Sequence, residues 1–349
     1  MNSFLVIQTA FPGDVILATP VIEKLHAQFP NAKIDFLLRK GNESLFENHP
    51  FLDEIIVWDK SKSKAGQLWK IINKVRSKKY DVVINLHRFT SSGIVTAFSG
   101  AKQTVGFDKN PLSFLFSKKI KHIIGTKEKP VHEVERNISL IAHLCGKDFT
   151  PPRLYPMDGL GKTGIRDSGL VMSPINQSTN QPINQSTNPY ICIAPASVWF
   201  TKQFPDDKWV ELINHIEQNM NIFLIGGKLD YKLCDKIKNA SKHPKIHNIS
   251  GLFSFLQSAA LMKDAKMNYV NDSAPLHLAS AMDAPVTAIF CSTIPEFGFG
   301  PLSSNSTIIE TKEEISCRPC GLHGYKACPL GHFKCAGSIE IRDIIKVGI

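Results

Sequence analysis

Short apolar runs alternate with helical periodicity along most of the chain. In the first half, apolar runs predict strands at Phe4–Gln8, Ile34–Leu38, Glu54–Trp58 and Val82–Leu86, with helices at Val15–Phe29 and Gln67–Lys78. The second half repeats the pattern, with strands Tyr190–Ala194, Ile222–Ile225, Met267–Val270 and Val286–Phe290 and helices Trp209–Gln218, Tyr231–Ala240, Phe255–Met262 and Leu276–Met282. Strands separated by helices indicate parallel sheets covered on both faces. The fold class is therefore predicted to be α/β.

A polar repeat divides these two halves. The heptapeptide PINQSTN occupies Pro174–Asn180 and again Pro182–Asn188. It offers almost no apolar surface to bury, which is typical of a linker. We therefore predict an N-terminal Rossmann-like domain over 1–170, a low-complexity linker over 171–189 and a C-terminal Rossmann-like domain over 190–349. Two such lobes in series predict a ligand cleft between them.

Composition is that of a soluble globular protein. The 349 residues are 43% hydrophobic and 21% charged. No run approaches the roughly 20 apolar residues of a spanning helix, and the N-terminus lacks the basic region of a signal sequence. A cytoplasmic location is expected, with the eight cysteines as reduced thiols or metal ligands.

Positive charge is concentrated in the first 150 residues. They contain 22 Lys and Arg against 14 Asp and Glu, within a formal net charge of +10. This excess is either a lysine-rich soluble surface or a sign of an anionic partner. Part of it lies in Lys60–Lys79, a basic amphipathic segment that either lies on lipid headgroups or packs on its own sheet. Because no nucleic-acid-binding module accompanies the charge, no nucleic acid is expected as a partner.

Three loops that follow predicted strands hold candidate chemistry. In doubly wound sheets such loops lie at the ligand-binding edge. Asp14, after Gly13, is either a helix N-cap or a general base. Ser197 and Lys202 suit phosphate oxygens.

The third loop is Asn271-Asp272-Ser273-Ala274-Pro275-Leu276-His277. Pro275 marks the first turn of a helix that Asp272 or Ser273 caps, and free amides at such an N-terminus bind anions. His277 is either part of this site or a core residue.

The absence of several motifs and the positions of the cysteines narrow the possible chemistry. The chain lacks G-x-G-x-x-G after its first strand, the P-loop motif and any Asp-x-Asp. Cys145, Cys192, Cys234 and Cys291 stand alone in apolar contexts, as small core residues do. A cluster of four further cysteines is either a structural zinc site or a set of reduced thiols packing a loop: Cys317, Cys320, Cys328 and Cys335.

The loop motifs together resemble a known family. The order GDV-x3-TP (Gly13–Pro20), APAS-x4-KQFP and NDSAPLHLASA is similar to that of the ADP-heptose:lipopolysaccharide heptosyltransferases, glycosyltransferase family 9. The tail CPLGHFKC is most like that of heptosyltransferase II. The resemblance implies the GT-B fold, with an acceptor-binding N-terminal domain and a C-terminal domain that binds the ADP-sugar.

The resemblance also implies site roles and a reaction. Asp14 matches the general base of an inverting, metal-independent transfer that needs no cofactor and uses ADP-heptose as donor. The residues that match donor contacts are Gly13, Ser197, Lys202, Asp272, Ser273, Ala274 and His277. Ala274 stands where the family commonly has Gly.

The implied acceptor is the lipid A core, which carries Kdo carboxylates and phosphates. Arg39, Lys40 and Arg88 follow strands of the basic N-terminal domain and are its expected contacts. A lipid-linked acceptor implies work at the cytoplasmic face of the inner membrane, with peripheral contact to its anionic surface. The alternatives are a same-family transferase for another sugar or core position, and a non-catalytic protein that binds anionic glycolipid.

Overall fold

The computed structural model describes residues 1–61, 64–157, 164–166, 169–171 and 189–348. They form two units: Met1–Tyr155 with Pro295–Gly300, and Pro156–Ile294 with Pro301–Ile349. The predicted linker 171–189 lies outside the described residues except at its two ends. Its boundaries therefore stay a prediction.

The first unit is built on a six-stranded parallel sheet. Its strands are β1 (Ser3–Ile7), β2 (Lys33–Arg39), β3 (Glu54–Trp58), β4 (Val82–Asn85), β5 (Gln103–Phe107) and β6 (Lys118–Ile120). The spatial order is β3-β2-β1-β4-β5-β6, with β1 in register against both β2 and β4. The order reverses at β1, so the ends of β1 and β4 form the switch point where ligands bind in such sheets.

Five α-helices accompany this sheet: α1 (Pro12–Ile16), α2 (Thr19–Gln28), α3 (Lys64–Lys78), α4 (Thr90–Ala97) and α5 (Glu133–Cys145). The prediction of a single helix over Val15–Phe29 is wrong, because the helix is interrupted between α1 and α2. Pro20 has no N–H to donate to the Ile16 carbonyl. The Thr19 hydroxyl donates to that carbonyl instead, at 2.8 Å.

Helix α3 resolves the two interpretations of the basic segment 60–79. Its apolar stripe, Ile71, Ile72 and Val75, is buried against the sheet core that contains Leu5 and Trp58. The lysines lie on the outer side, as in an ordinary amphipathic helix. Among the described helices, none has the length and apolar character needed to cross a bilayer.

The second unit repeats this architecture. Its main sheet contains β9 (Tyr190–Ala194), β10 (Asn221–Leu224), β11 (Ile246–Asn248), β12 (Met267–Asn271), β13 (Val286–Phe290) and β14 (Ser306–Glu310), and a two-stranded sheet joins β7 (Gly164–Arg166) to β8 (Gly169–Val171). The main sheet is parallel, in the order β11-β10-β9-β12-β13-β14. The two parallel sheets confirm the predicted α/β class.

Six α-helices belong to the second unit: α6 (Asp206–Asn214), α7 (Tyr231–Ala240), α8 (Phe255–Lys263), α9 (Ala274–Ala281), α10 (Lys334–Gly337) and α11 (Ile341–Gly348). The final helix, α11, packs Ile341 and Ile344 into the core around Trp209 and Ile213 of α6. Lys208 Nζ also donates to the Ile339 carbonyl at 2.6 Å, just before α11. The C-terminal end of the chain thus completes the second unit's core.

A short segment of the chain belongs to the first unit although it follows β13. Residues Pro295–Gly300 pack against the start of α5. The buried Arg136 guanidinium donates to the Phe297 carbonyl at 3.0 Å and pairs with Glu133 at 2.5 Å, while the Glu133 amide donates to the Gly298 carbonyl at 2.9 Å. Gly298 has φ +100°, and an added Cβ would lie 2.3 Å from the Val131 carbonyl oxygen. This turn is therefore restricted to glycine.

Candidate active site

Asp14 lies in the first turn of α1, directly beyond the end of β1. Phe11 is the N-cap and Pro12 opens the helix. The N-cap interpretation of Asp14 is therefore wrong, because the helix begins two residues earlier than Asp14. Asp14 is half-buried. The neighbouring Gly13 is also half-buried, and its carbonyl accepts from the Leu17 amide at 3.0 Å.

The three predicted acceptor contacts lie at this same edge of the first sheet. Arg39, at the end of β2, stacks its guanidinium 5.6 Å from the centroid of the Phe11 ring. Lys40 is exposed and pairs with Asp59 at 3.0 Å. Arg88 follows β4 and lies 5.9 Å from the Phe89 ring centroid. The carboxyl edge of the first sheet is therefore basic.

Lys60 is a further cation at this edge, and the sequence motifs did not single it out. Its Nζ donates to Thr9 Oγ1 at 2.9 Å and lies 4.8 Å from the Trp58 ring centroid. Burial, together with the charge of Arg39, lowers the pKa of Lys60 to about 8. Thr9 Oγ1 also lies 3.1 Å from Nδ1 of His87. A second hydrogen-bonded layer thus supports the loop that leads to Asp14.

In the second unit, the structure brings together Lys202 and Asp272. Lys202 Nζ lies 2.6 Å from Asp272 Oδ2, and both side chains are largely buried. Thr293 donates its hydroxyl to the same carboxylate oxygen, also at 2.6 Å. Thr293 follows β13 and was not predicted, although polar residues after a strand end are the signal that identified the other loops. A buried carboxylate with two donors is held in one orientation.

Asn271 joins the loops that hold this pair. Its side-chain amide donates to the Pro195 carbonyl at 2.7 Å and accepts from the Phe204 amide at 3.0 Å. Within the loop after β9, Gln203 Nε2 donates to the Ser197 carbonyl at 2.6 Å. β9 and β12 are neighbours in the sheet. The loop after β9, with Ser197 and Lys202, therefore lies at the same edge as Asp272, which follows β12.

Helix α9 begins at this edge. Ser273 is its N-cap residue without a side-chain cap, and Ala274 and Pro275 form the first turn. The predicted cap by Asp272 is wrong, because that carboxylate binds Lys202 and Thr293 instead. In this first turn Pro275 has no N–H and the Leu276 amide donates to the Ser273 carbonyl at 3.0 Å, so an anion at this helix end would meet the Ala274 amide. His277 lies within the helix and is 4% exposed, as is Asp272.

The cysteine-rich tail packs against the turn that carries Lys202. The Tyr325 amide donates to Thr201 Oγ1 at 2.8 Å, and Ser292 Oγ donates to the same oxygen at 3.0 Å. Gly324 has φ +73°, and an added Cβ would lie 2.8 Å from Thr201 Oγ1. Arg318 donates to the Thr293 carbonyl at 2.8 Å. The tail therefore supports both the lysine turn and the threonine that contacts Asp272.

The zinc interpretation of the tail stays a prediction, although Cys317, Cys320, Cys328 and Cys335 lie close enough to interact electrostatically. Among the residues that the structure describes, no three His, Cys, Asp or Glu side chains come together as metal ligands. Cys317 Sγ lies 3.8 Å from His332 Nε2, and Cys320 donates to the Cys317 carbonyl. Of the four single cysteines, Cys192, Cys234 and Cys291 are buried as predicted, whereas Cys145 is only partly buried.

Comparison with known proteins decides the family. The sequence profile of glycosyltransferase family 9 (heptosyltransferase) matches residues 68–325, more than half of the chain. The chain belongs to this family. It is therefore a glycosyltransferase of the heptosyltransferase group, whose members act in lipopolysaccharide biosynthesis. This confirms the resemblance drawn from the loop motifs.

The individual relatives share low sequence identity with this chain. Lipopolysaccharide heptosyltransferase 3 of Escherichia coli is 24% identical over 303 residues, which cover 84% of this chain and 85% of the relative. The structure of E. coli ADP-heptose lps heptosyltransferase II matches with a TM-score of 0.76 and 22% identity, covering 99% and 97% of the two chains. That of E. coli heptosyltransferase WaaC with ADP matches at 0.70 and 16%, covering 99% and 98%. The fold of this family 9 member is accordingly GT-B.

Proposed function

We propose that this family 9 glycosyltransferase transfers L-glycero-D-manno-heptose from ADP-heptose to the inner core of nascent lipopolysaccharide. The acceptor is heptosyl-Kdo-lipid A or Kdo-lipid A, and the anomeric centre is inverted. The observation that carries the proposal is the buried pair of Lys202 and Asp272, 2.6 Å apart at the start of α9. It places a cation and an anion at a helix N-terminus in the donor motif of the family.

The chemistry of this pair suits a nucleotide-sugar. Lys202 and the Ala274 amide offer positive charge to a diphosphate, and this charge stabilises the leaving ADP without a divalent ion. Asp272 accepts hydrogen bonds, and its free acceptor sites suit the hydroxyls of a heptose. Ser197, Ala274 and His277 complete the proposed donor contacts. A neighbouring structure, heptosyltransferase WaaC, was solved with ADP, which supports an ADP-linked donor.

The acceptor half of the reaction is assigned to the first unit. Asp14, with the backbone at Gly13, lies at the switch point of its sheet, where a general base can take the proton of an acceptor hydroxyl. Arg39, Lys40 and Arg88 provide the basic edge that an acceptor with carboxylates and phosphates requires. Because this acceptor is anchored in lipid, we place the enzyme at the cytoplasmic face of the inner membrane.

A second candidate is transfer of heptose to a different core position. It is favoured by the match to heptosyltransferase 3, whose identity of 24% is no lower than the 23% of heptosyltransferase 2 of Escherichia coli. Both candidates use the same donor site and the same base. They differ only in the acceptor hydroxyl.

The test is ADP release from ADP-heptose in EDTA, with Kdo-lipid A, heptosyl-Kdo-lipid A or a longer core as acceptor. Release that requires one of the first two acceptors supports the first candidate. Release that requires the longer core supports the second. ADP binding without release would reject both and leave another sugar donor, and absence of ADP binding would reject the donor site.

A further inference from the structure

The connection between β5 and β6, residues 108–117, exposes two neighbouring apolar side chains. Phe114 is 72% exposed and Leu115 is 48% exposed, on the 3₁₀ turn Ser113–Leu115. Single exposed apolar residues are common on soluble proteins. Two that are adjacent in sequence at a loop tip are a candidate interaction surface.

The rest of this connection is anchored, so the exposure is built into the fold. Phe116 is buried against the sheet, where an added Cβ at Gly106 would lie 2.6 Å from its ring. Asn110 is also buried, and its amide donates to the carbonyls of His87 and Phe89, both at 3.1 Å. A loop held at both ends keeps its tip in one position.

The charge around the tip is mainly positive. Residues 108–127 contain five lysines and one acidic residue, the exposed Asp108, whose carbonyl accepts from the Ser113 hydroxyl of the tip. Lys119 and Lys121 are exposed beside the tip in sequence. Asn110 links the loop to Phe89, whose side chain is 56% exposed. The Arg88 guanidinium lies near the Phe89 ring. Apolar side chains flanked by cations match the interface of an anionic bilayer, with hydrocarbon below and phosphate above.

We propose that this tip, Phe114 and Leu115 with Lys119 and Lys121, docks the first unit on an anionic phospholipid surface. Phe114 and Leu115 enter the boundary of the acyl region, and the lysines lie among the lipid phosphates. The inference rests on the proposed function, whose acceptor is anchored in lipid. It assigns the membrane contact to this tip rather than to α3, because the tip exposes two adjacent apolar side chains, whereas the apolar stripe of α3 is buried and Trp69 stands alone at 64% exposure.

Vesicle sedimentation of the full-length protein tests the surface. Wild type should bind vesicles containing phosphatidylglycerol and bind pure phosphatidylcholine at least tenfold more weakly. Phe114→Ser with Leu115→Ser should reduce binding to the anionic vesicles by tenfold or more. Lys119→Gln and Lys121→Gln should each reduce it about fivefold at low salt. Phe149→Ser changes another half-exposed aromatic of the same unit and serves as the matched control.

Three results would overturn the proposal. Wild type that binds no vesicle, or binds both kinds equally, contradicts an anionic docking surface. Tip variants that bind like wild type place the contact elsewhere. Thermal unfolding of each variant ensures that lost binding is not lost folding.

An acceptor comparison separates this inference from the proposed function. The double tip variant should lose at least tenfold in ADP release with vesicle-borne acceptor and keep its kcat with a de-acylated, soluble acceptor. Equal loss with both acceptors would contradict a docking role. If no acceptor supports ADP release by wild type, the proposed function fails, while sedimentation still decides the surface.

Discussion

Thr293 and Lys202 contact the same oxygen of Asp272, each at 2.6 Å. The three side chains come from the ends of β13 and β12 and from the loop after β9, which are adjacent in the second sheet. A buried carboxylate that has lost its water needs such partners. The orientation of Asp272 is therefore set by two residues, of which only one is charged.

Breaking this buried pair should destabilise the second unit strongly. Lys202→Met leaves the Asp272 carboxylate buried with only Thr293, which should lower the free energy of unfolding by about 3–5 kcal/mol. Adding Asp272→Asn to that variant should restore much of the loss, because no unpaired charge then remains. Urea unfolding of wild type, Lys202→Met, Asp272→Asn and the double variant completes a double-mutant cycle.

An exposed ion pair of the same unit provides the control. Lys236 pairs with Asp206 while its side chain is 72% exposed. Lys236→Met should cost less than about 1 kcal/mol, as is usual for exposed pairs. Equal costs for Lys202→Met and Lys236→Met would contradict a special role of burial.

Asp14→Asn should separate chemistry from donor binding. An amide cannot accept the acceptor's proton, so kcat should fall by about 10²- to 10⁴-fold, the usual contribution of a general base. The affinity for ADP, measured by calorimetry, should stay within twofold, because the proposed donor contacts lie mainly in the second unit. Asp148→Asn, which changes an exposed carboxylate of the first unit, should alter neither value. Preserved kcat with lost ADP binding would refute the assignment of the base.

Two glycines of the tail test whether it supports the lysine turn. Gly324 and Gly331 have nearly equal φ values, +73° and +72°, so alanine strains the backbone equally at both. A Cβ added at Gly324 would lie 2.8 Å from Thr201 Oγ1, whereas a Cβ added at Gly331 would have nothing within 4 Å. Gly324→Ala should weaken ADP binding about tenfold, equivalent to about 1.4 kcal/mol, whereas Gly331→Ala should leave it unchanged. Indistinguishable ADP affinities for the two variants would show that the packed contact does not matter.

The first unit should lose stability in acid through His87. Burial, with the charges of Lys60 and Arg88, lowers the pKa of His87 to about 3, against about 6.5 in an unfolded chain. Between these values the unfolded chain binds a proton that the folded chain does not. The stabilisation is therefore complete above pH 6.5 and is lost as the pH falls towards 3.

Urea unfolding at pH 7 and pH 5 measures this effect. Lowering the pH from 7 to 5 should reduce the free energy of unfolding by about 2 kcal/mol through His87 alone. His87→Asn should remove that part of the pH dependence, whereas His215→Asn, at an exposed position, should retain it. An unchanged pH dependence in His87→Asn would mean that this imidazole is not buried in its neutral form.

The interior of the fold could be predicted from the sequence because its strands are continuous apolar runs. Glu54–Trp58 and Tyr190–Ala194, for example, have the bounds that the pattern predicted. Outer strands were missed where they are short and polar, as in β6 with its two lysines. Helix α5 was also missed, although the capping box of His132 and Glu135 is a readable start signal.

The sequence identified individual site residues more readily than the contacts between them. Lys202 and Asp272 were each found from a loop motif, but 69 intervening residues hide the fact that they touch. That contact depends on β9 and β12 being neighbours, which is a property of the sheet order. Lys60 and Thr293 belong to no motif, and only the fold places them beside the predicted residues.

The segment Pro295–Gly300 affects how this enzyme can be recombined with its relatives. Residues 1–155 expressed alone would leave the Arg136 guanidinium without the Phe297 carbonyl and the Glu133 amide without that of Gly298. A chimaera that exchanges the C-terminal half at one crossover imports a foreign version of this turn. The first unit can therefore be exchanged cleanly only with two further crossovers, one on each side of residues 295–300. Modularity in this protein follows the packing of side chains and not the order of the gene.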